Sequence, residues 1–293
     1  MTERRRRPYD LTDKVVLVTG GNGGIGAATG RELLRRGARL VVADLDPGTP
    51  RRAEALGADR VLGCVADVRD RSSLDEVVAR AVGRFGRVDV VMANAGLLAT
   101  AATLRNTPVA DVETTLAVNV TGVVNTVAAG LDEVIRNEGQ VVLMSSVFAF
   151  VNGMGTIPYA MSKAAVEQLG RGLRVELADH GVTVLTAYFS LVETEMIRHG
   201  VDEDDVVTAL LATLPAPMLA RISPAAAATA IADGLERRSP RVVRPGVWRP
   251  VSALRGLVGP ALDARFAGDR RVLDVLARLD ARPTPTRPTP TRP

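Results

Sequence analysis

Tyr159 and Lys163 stand four residues apart in a chain that has only three tyrosines. Its 37 basic side chains are arginine everywhere except at Lys14 and Lys163. On a helix that spacing sets the two side chains on one face, a turn apart. A free tyrosine, with a pKa of about 10, is a poor base in neutral water. A cation one turn away favours the phenolate and lowers that pKa. The pair could therefore move a proton to or from a substrate near neutral pH. A solvated helix pair without chemistry has the same spacing, so the pair alone leaves both readings open.

A second constellation is the run TGGNGGIG, Thr19 to Gly26. Gly20 suits a tight turn, Gly24 lets backbone amides approach a pyrophosphate, and Gly26 lets a helix pack closely on the preceding strand. Asp44 follows 18 residues after Gly26, near the spacing of an acid that binds adenosine ribose hydroxyls. A 2′-phosphate would meet that carboxylate, and no arginine stands at Leu45 or Gly23, which favours NAD over NADP. A plain structural glycine turn is the alternative reading of the loop. Asp67, taken alone, is equally suited to capping a helix or turn.

These groups need strands and helices to bring them together. Apolar runs rich in β-branched residues predict strands at 14–20, 39–45, 59–65, 87–96, 140–146 and 182–189. Amphipathic stretches predict helices at 25–36, 72–85, 109–137 and 156–179, with another at 223–238 behind a Ser-Pro start. Continuous apolar strands alternating with helices imply a doubly wound parallel sheet, a three-layer α/β/α Rossmann fold. The glycine run sits between the first strand and the first helix, as a dinucleotide loop must.

Composition excludes other classes. The pI is near 9.8, but residues 1–8 and 281–293 each carry a net +3, so of the formal +4 the body holds −2. With 3% aromatics there is little to stack on bases, and no nucleic-acid partner is expected. One cysteine, Cys64, and two histidines, His180 and His199, offer neither a disulfide framework nor metal-ligand spacing, which fits a reducing cytoplasm and no metal. The start lacks the apolar core of a signal peptide. The longest uncharged run, 141–162, carries Asn152, Pro158, three serines and two glycines, which argues against a membrane span. The expected organisation is a disordered basic arm at 1–9, a catalytic domain at 10–245, a short helical extension at 246–280 and a disordered Pro/Thr/Arg tail at 281–293.

The spacing TGxxxGxG together with YxxxK resembles the short-chain dehydrogenase/reductase family, in its single-domain branch, over about residues 10–245. The motifs Asn94-Ala95-Gly96, the NVTG that holds Asn119, and Ser146 thirteen residues before Tyr159 carry the resemblance further. It implies a catalytic tetrad of Asn119, Ser146, Tyr159 and Lys163. In it Tyr159 exchanges the substrate proton, Lys163 also holds the nicotinamide ribose, and Ser146 orients the substrate oxygen. The backbone at Asn119 holds a water that relays protons. It also implies cofactor contacts at Gly20, Asn22, Gly23, Gly24, Ile25, Gly26, Asp44, Leu45, Asp67, Val68, Asn94, Ala95 and Gly96, with Tyr159, Lys163, Val192 and Thr194 at the nicotinamide end. The expected cofactor is NAD, and the resemblance implies a homodimer or homotetramer.

One departure stands out. Phe189-Ser190 occupies the place of the Pro-Gly pair usual in the resembled family, which bears on Val192, Thr194 and the substrate pocket. Leu97, Leu98, Phe148, Phe150 and Met154 flank the site without charge and suit a lipophilic alcohol or ketone. Residues 197–220 read as a mobile lid. The extension, with the one tryptophan Trp248, reads as docking on the enzyme or a partner subunit, with membrane contact the lesser reading. Two rivals keep part of the pattern. A dinucleotide-sensing regulator needs the glycine loop but not Ser146, Tyr159 and Lys163 together. An epimerase or dehydratase needs a larger C-terminal substrate domain.

Overall fold

The computed structural model describes residues 8–282. The elements follow in chain order as β1 (Val15–Thr19), α1 (Gly24–Arg35), β2 (Arg39–Asp44), α2 (Thr49–Gly57), β3 (Val61–Val65), α3 (Arg71–Phe85) and β4 (Val90–Ala93). Then come α4 (Val109–Leu116), α5 (Gly122–Arg136), β5 (Gln140–Met144), α6 (Ile157–Glu176), β6 (Thr183–Phe189), α7 (Glu195–Ile197) and α8 (Asp205–Leu211). The chain closes with α9 (Pro224–Glu236), β7 (Arg241–Arg244), α10 (Trp248–Gly268) and α11 (Arg270–Asp280).

Among the described residues, seven strands form one sheet in the order β3-β2-β1-β4-β5-β6-β7, and every pairing is parallel. β1, β4, β5 and β6 are buried along their whole length, which is why their sequences run apolar without alternation. One face packs α3, α5 and α6 through Leu74, Val77, Val127, Val166 and Leu173. The other packs α1 and α9 through Leu33, Ile231 and Leu235. The sheet is therefore the doubly wound Rossmann arrangement that the strand and helix pattern predicts. Its direction of winding reverses between β1 and β4, which opens a crevice at the carboxyl ends of those strands.

Four elements escaped the sequence reading: α2, β7 and the short helices α7 and α8 within and beside the expected lid. α2 buries only Thr49 and Ala53, so it has no apolar stripe to announce it. β7 is four residues with arginine at both ends, too short and too charged for a strand pattern. The strand predicted at 87–96 ends at Ala93, and Asn94–Gly96 forms the loop that follows. The helix predicted at 109–137 is continuous in space, but Ala117–Thr121 is widened into a π turn.

The expected arm and tail lie outside the described residues, apart from their inner ends. Those ends are not loose. Tyr9 is buried, its N–H donates to the Glu236 carbonyl at 2.7 Å, and the Arg238 guanidinium lies 4.6 Å from its ring centroid. Arg282 makes two hydrogen bonds to the Asp204 carboxylate, at 2.6 and 2.7 Å. At residues 9 and 282, where the sequence reading expected disorder, a buried ring and a paired guanidinium anchor the chain.

The extension folds into α10 and α11 and docks on its own chain. Trp248 and Val251 pack with Phe150, Tyr188 and Val243, while Phe266, Val272, Val275 and Leu279 pack with Val206 and Leu210 of α8.

Candidate active site

A cavity of about 1000 Å³ runs across the crevice, from Asp44 and Asp67 at one end to Tyr159 and Lys163 at the other. All the expected cofactor residues except Gly26 line it directly. Gly26 acts from behind: a Cβ there would sit 2.3 Å from the Gly20 carbonyl oxygen, so only glycine lets α1 start this close to the loop. Gly20 has φ +62° and backs onto the Ala95 backbone, where a Cβ would meet Cα at 2.8 Å. Both positions are closed to any side chain, the first by packing and the second by packing and backbone conformation.

The start of α1 fits an anion. Gly23 caps it without a side-chain hydrogen bond, no acidic residue stands in its first turn, and a Cβ at Gly23 would meet nothing within 4 Å. Unpaired N–H groups at the positive end of a helix dipole are thereby turned to open space, as a pyrophosphate requires. Asn22 is held beside them by its amide, which donates to Thr49 Oγ1 at 2.7 Å. Asn94 donates to the Thr19 and Gly20 carbonyls at 2.9 and 3.0 Å and ties the end of β4 to the loop.

Asp44 lies at the carboxyl end of β2, its carboxylate accepting from the Asn22 and Asp46 backbone N–H groups at 3.0 and 3.2 Å. Leu45 beyond it is exposed. Two arginines that sequence spacing did not indicate also line this end, Arg52 and Arg69. Each is already occupied. Arg52 pairs with Asp46 at 2.5 Å, and Arg69 pairs with Asp67 at 2.5 Å, which holds the Asp67 carboxyl below its ordinary range. Asp67 therefore faces the cavity as half of an ion pair.

At the other end, α6 carries Tyr159 and Lys163 one turn apart, with Lys163 Nζ 5.4 Å from the ring centroid. Lys163 Nζ donates to the Met144 carbonyl at 3.0 Å, and the Ser145 hydroxyl donates to the Lys163 carbonyl at 2.9 Å, so the end of β5 fixes the lysine. Ser146 donates to the Phe189 carbonyl at 3.1 Å. Asn119 is fully buried in the π turn. It accepts from Leu97 N–H at 2.8 Å and donates to the Leu97 carbonyl at 2.9 Å and to Ser162 Oγ at 3.1 Å. Single widened turns of this type shift backbone groups out of the helical register and recur at functional sites. Of the expected tetrad, Tyr159 and Lys163 line the cavity, while Asn119 and Ser146 are buried behind its lining, Asn119 held by Leu97 and Ser162 and Ser146 by the Phe189 carbonyl.

The electrostatics differ from the expectation. Burial pushes the Tyr159 phenol up to about 12, and the neighbouring Ser146 hydroxyl pulls it the other way without reversing the shift. Burial brings Lys163 down to about 8. Desolvation outweighs the mutual effect of phenol and ammonium, so without further positive charge the tyrosine is held as a neutral acid.

Of the five expected pocket walls only Leu97 lines the cavity; Leu98 lies against Gly200, and Phe150 and Met154 belong elsewhere. Phe150 packs against Tyr188 and Trp248, and Met154 against the α8–α11 cluster. Both are claimed by the extension, whose packing partners could not be read from the loop's own sequence. Leu97 lines the cavity, joined by Val118, Phe189, Met196 and Ile197. Phe148 meets the Tyr159 ring edge-on at 5.8 Å. Ser190 stands on the wall in the place expected of glycine, with Val192 and Thr194 beyond it. Among the described residues, no cluster of three His, Cys, Asp or Glu side chains could hold a metal.

A family model described as short chain dehydrogenase matches residues 14–205. The oxidoreductase UcpA of Escherichia coli is 34% identical over 220 residues, covering 72% of this chain and 83% of that protein. The 2-(R)-hydroxypropyl-CoM dehydrogenase of Xanthobacter autotrophicus is 31% identical, covering 69% and 84%. The cis-4-hydroxycyclohexanecarboxylate dehydrogenase of Sinomonas cyclohexanicum is 33% identical, covering 72% and 85%. Among solved structures, gox2181 superposes with a TM-score of 0.73 at 25% identity, covering 79% of this chain and 93% of that one. The 3-ketoacyl-(acyl-carrier-protein) reductase of Brucella melitensis, complexed with NADH, shares the fold with a TM-score of 0.71 at 23% identity, covering 80% and 97%.

The three tyrosines supply a direct optical test, because burial raises all of them: Tyr159 and Tyr188 to about 12, and Tyr9 well above its ordinary value. A near-ultraviolet titration of the ligand-free protein should show almost no tyrosinate at about pH 10, where free tyrosine is half ionised. The buried phenols' contribution to stability is complete below about pH 10 and fades as the pH climbs towards about 12. Lys163 works in the opposite sense: its contribution is present above the unfolded value of 10.5 and is lost as the pH falls through about 8. A one-equivalent phenolate step near neutral pH, absent from Tyr159→Phe, would mean that the lysine outweighs burial.

Proposed function

This chain belongs to the short chain dehydrogenase family, and we propose that it interconverts a lipophilic secondary alcohol and its ketone with NAD(H). The observation that carries this reading is one continuous cavity. It joins a glycine-lined helix start and the Asp44 carboxylate to a half-buried tyrosine and a buried lysine. The bound nicotinamide would accept or return the hydride, and its positive charge in the oxidised form would favour the Tyr159 phenolate. In alcohol oxidation the hydroxyl proton passes to Tyr159 Oη as the carbon–oxygen double bond forms. In reduction the neutral phenol gives it back, the role for which the half-buried ring is already poised. Ser146 orients the substrate oxygen, while Lys163, fixed by Met144, supports the ribose and the phenolate. Asn119 holds the widened turn from which a proton relay would leave.

A lipophilic substrate is favoured by Leu97, Val118, Met196 and Ile197. The cations on the cavity wall are Arg52, Arg69 and Lys163, and both arginines are paired at the adenosine end. At the catalytic end Lys163 is held by the Met144 carbonyl, which disfavours an anionic tail. Glu195, also on the wall, would repel one. The similarity to relatives named for hydroxy compounds supports a CH–OH substrate. Tyr159→Phe keeps the ring and removes the acid, so turnover on a panel of secondary alcohols should fall by about 10² to 10⁴ with NAD binding retained. Near-normal rates in that variant would overturn the mechanism. Tight NAD binding without turnover of any alcohol or ketone would point to a sensor.

NAD is favoured because Asp44 would lie about 4 Å from a 2′-phosphate, where each like charge costs up to about 4 kcal/mol at an effective dielectric near 20. Half of that is a preference of about 30-fold. The occupied guanidinia of Arg52 and Arg69 offer a phosphate little in compensation. The ratio of kcat/KM for NAD over NADP should fall in Asp44→Ala and fall further when Leu45→Arg is added, since a guanidinium grips phosphate with two hydrogen bonds. A wild type that prefers NADP would refute the assignment.

The protein is further proposed to be a homodimer or homotetramer. Val109, Val124, Met161 and Val175 are 72%, 43%, 49% and 78% exposed on α4, α5 and α6, more apolar surface than a solvated helix face needs. The helix Val109–Arg136 is also long and apolar enough to cross a membrane by length and composition. Its inner face, however, packs on the sheet through Val123, Val127 and Val134, so a second copy is the better cover. Light scattering should report a multiple of 30.9 kDa; a monomer at working concentration would refute assembly.

A further inference from the structure

The end of α11 meets three separate segments, each of which begins at a residue of the site. The loop 97–106 leaves the Asn94–Gly96 turn, the loop 147–156 joins Ser146 to Tyr159, and 195–211 continues from Thr194. Leu279 is fully buried where two of them converge: a Cβ at Gly155 would lie 3.1 Å from Leu279 and 3.2 Å from Leu210 of α8. Asp280 accepts from Thr103 Oγ1 at 2.6 Å and from the Arg105 guanidinium at 2.9 Å, and its carbonyl accepts from the Asn106 amide at 2.6 Å. Arg282 grips Asp204, whose carboxylate also caps α8 by accepting from Val206 and Val207 N–H groups. The two loops are bonded to each other, Ala102 N–H to the Gly155 carbonyl, at 3.0 Å.

We infer that Leu279, Asp280 and Arg282 are positioning residues, a clasp that holds the substrate-facing wall of the cavity in its working shape. None of the three belongs to the two apolar clusters that hold the sheet, so the Rossmann core does not depend on them. The lid does. α8 spans seven residues, too few to stand as a helix without tertiary support. Its buried side chains, Val206 and Leu210, pack on α10 and α11. The wall residues Met196 and Ile197 lie just before it, and Leu98 approaches within 2.9 Å of where a Gly200 Cβ would be. Releasing the clasp should therefore loosen the wall while leaving Tyr159, Lys163 and the glycine loop, all fixed by the sheet, in place. An ordinary mobile lid in this position would be free of the body of the chain; here α8 is docked on α10 and α11.

The inference uses the proposed dehydrogenase reading only for the kinetic half of its test. Arg282→Ala and Asp280→Asn should each speed amide hydrogen exchange in 195–211 and 97–106, with exchange in β4, β5 and α6 unchanged. If the held lid drops to one molecule in ten, KM for the alcohol rises about tenfold, with kcat and the NAD dissociation constant unaltered. Arg282→Lys, which keeps one charged bond to Asp204, should recover most of the effect. The exchange data stand even if no alcohol is turned over, so failure of the activity reading and failure of the clasp are separable. Unchanged exchange in both loops in both variants would overturn the clasp. So would faster exchange spread evenly through the sheet, which marks a general loss of stability.

Discussion

Parallel pairing is the constraint from which the rest of this molecule follows. Each strand must be followed by a return across one face of the sheet, so all seven strands end at the same edge. Where the winding reverses, between β1 and β4, no connection covers that edge. The residues just beyond the strands are then gathered there whatever their separation in sequence: Gly20 after β1, Asp44 closing β2, Asn94 after β4, Ser145 after β5 and Ser190 after β6. The cavity is the space left by topology, and the chemistry lies in what the strand ends present to it.

Burial then sets the charge states. The sheet's depth removes Tyr159 and Lys163 from water, and both are driven towards their neutral forms. A spacing argument in which the lysine simply lowers the tyrosine pKa leaves out this desolvation, which is the larger effect in the ligand-free chain. At the adenosine end the opposite arrangement holds. Asp44, Arg52 and Arg69 are near the surface and tied into backbone bonds or ion pairs. The Asp44 carboxylate is held there by backbone N–H groups, while both arginines are paired with neighbouring carboxylates.

The extension changes what surrounds the cavity rather than its floor. By drawing Phe150 and Met154 into its own packing, it removes them from the wall that their loop would otherwise present. By supporting α8 it replaces a free lid with a docked one. Val118, Met196 and Ile197 become the apolar surface in their stead.

The sequence by itself determined six of the sheet's seven strands, its longer helices and which residues are expected to react. Continuous β-branched runs have few stable arrangements, and Gly20, Gly26, Tyr159 and Lys163 are residues whose types and spacing admit few uses. Its reach ended where partners lie far away in the chain. α2 and β7 carry no strong pattern of their own and exist because β3 and β6 give them something to pack or pair on. The π turn at Asn119 is invisible in composition because it is a change of hydrogen-bond register. Arg52 and Arg69 reach the adenosine end only because α2 and the turn after β3 fold back to it. The direction of the Tyr159 shift, the fate of Phe150 and the clasp at Leu279–Arg282 were decided by tertiary structure, since burial and long-range contact are properties of the assembled chain.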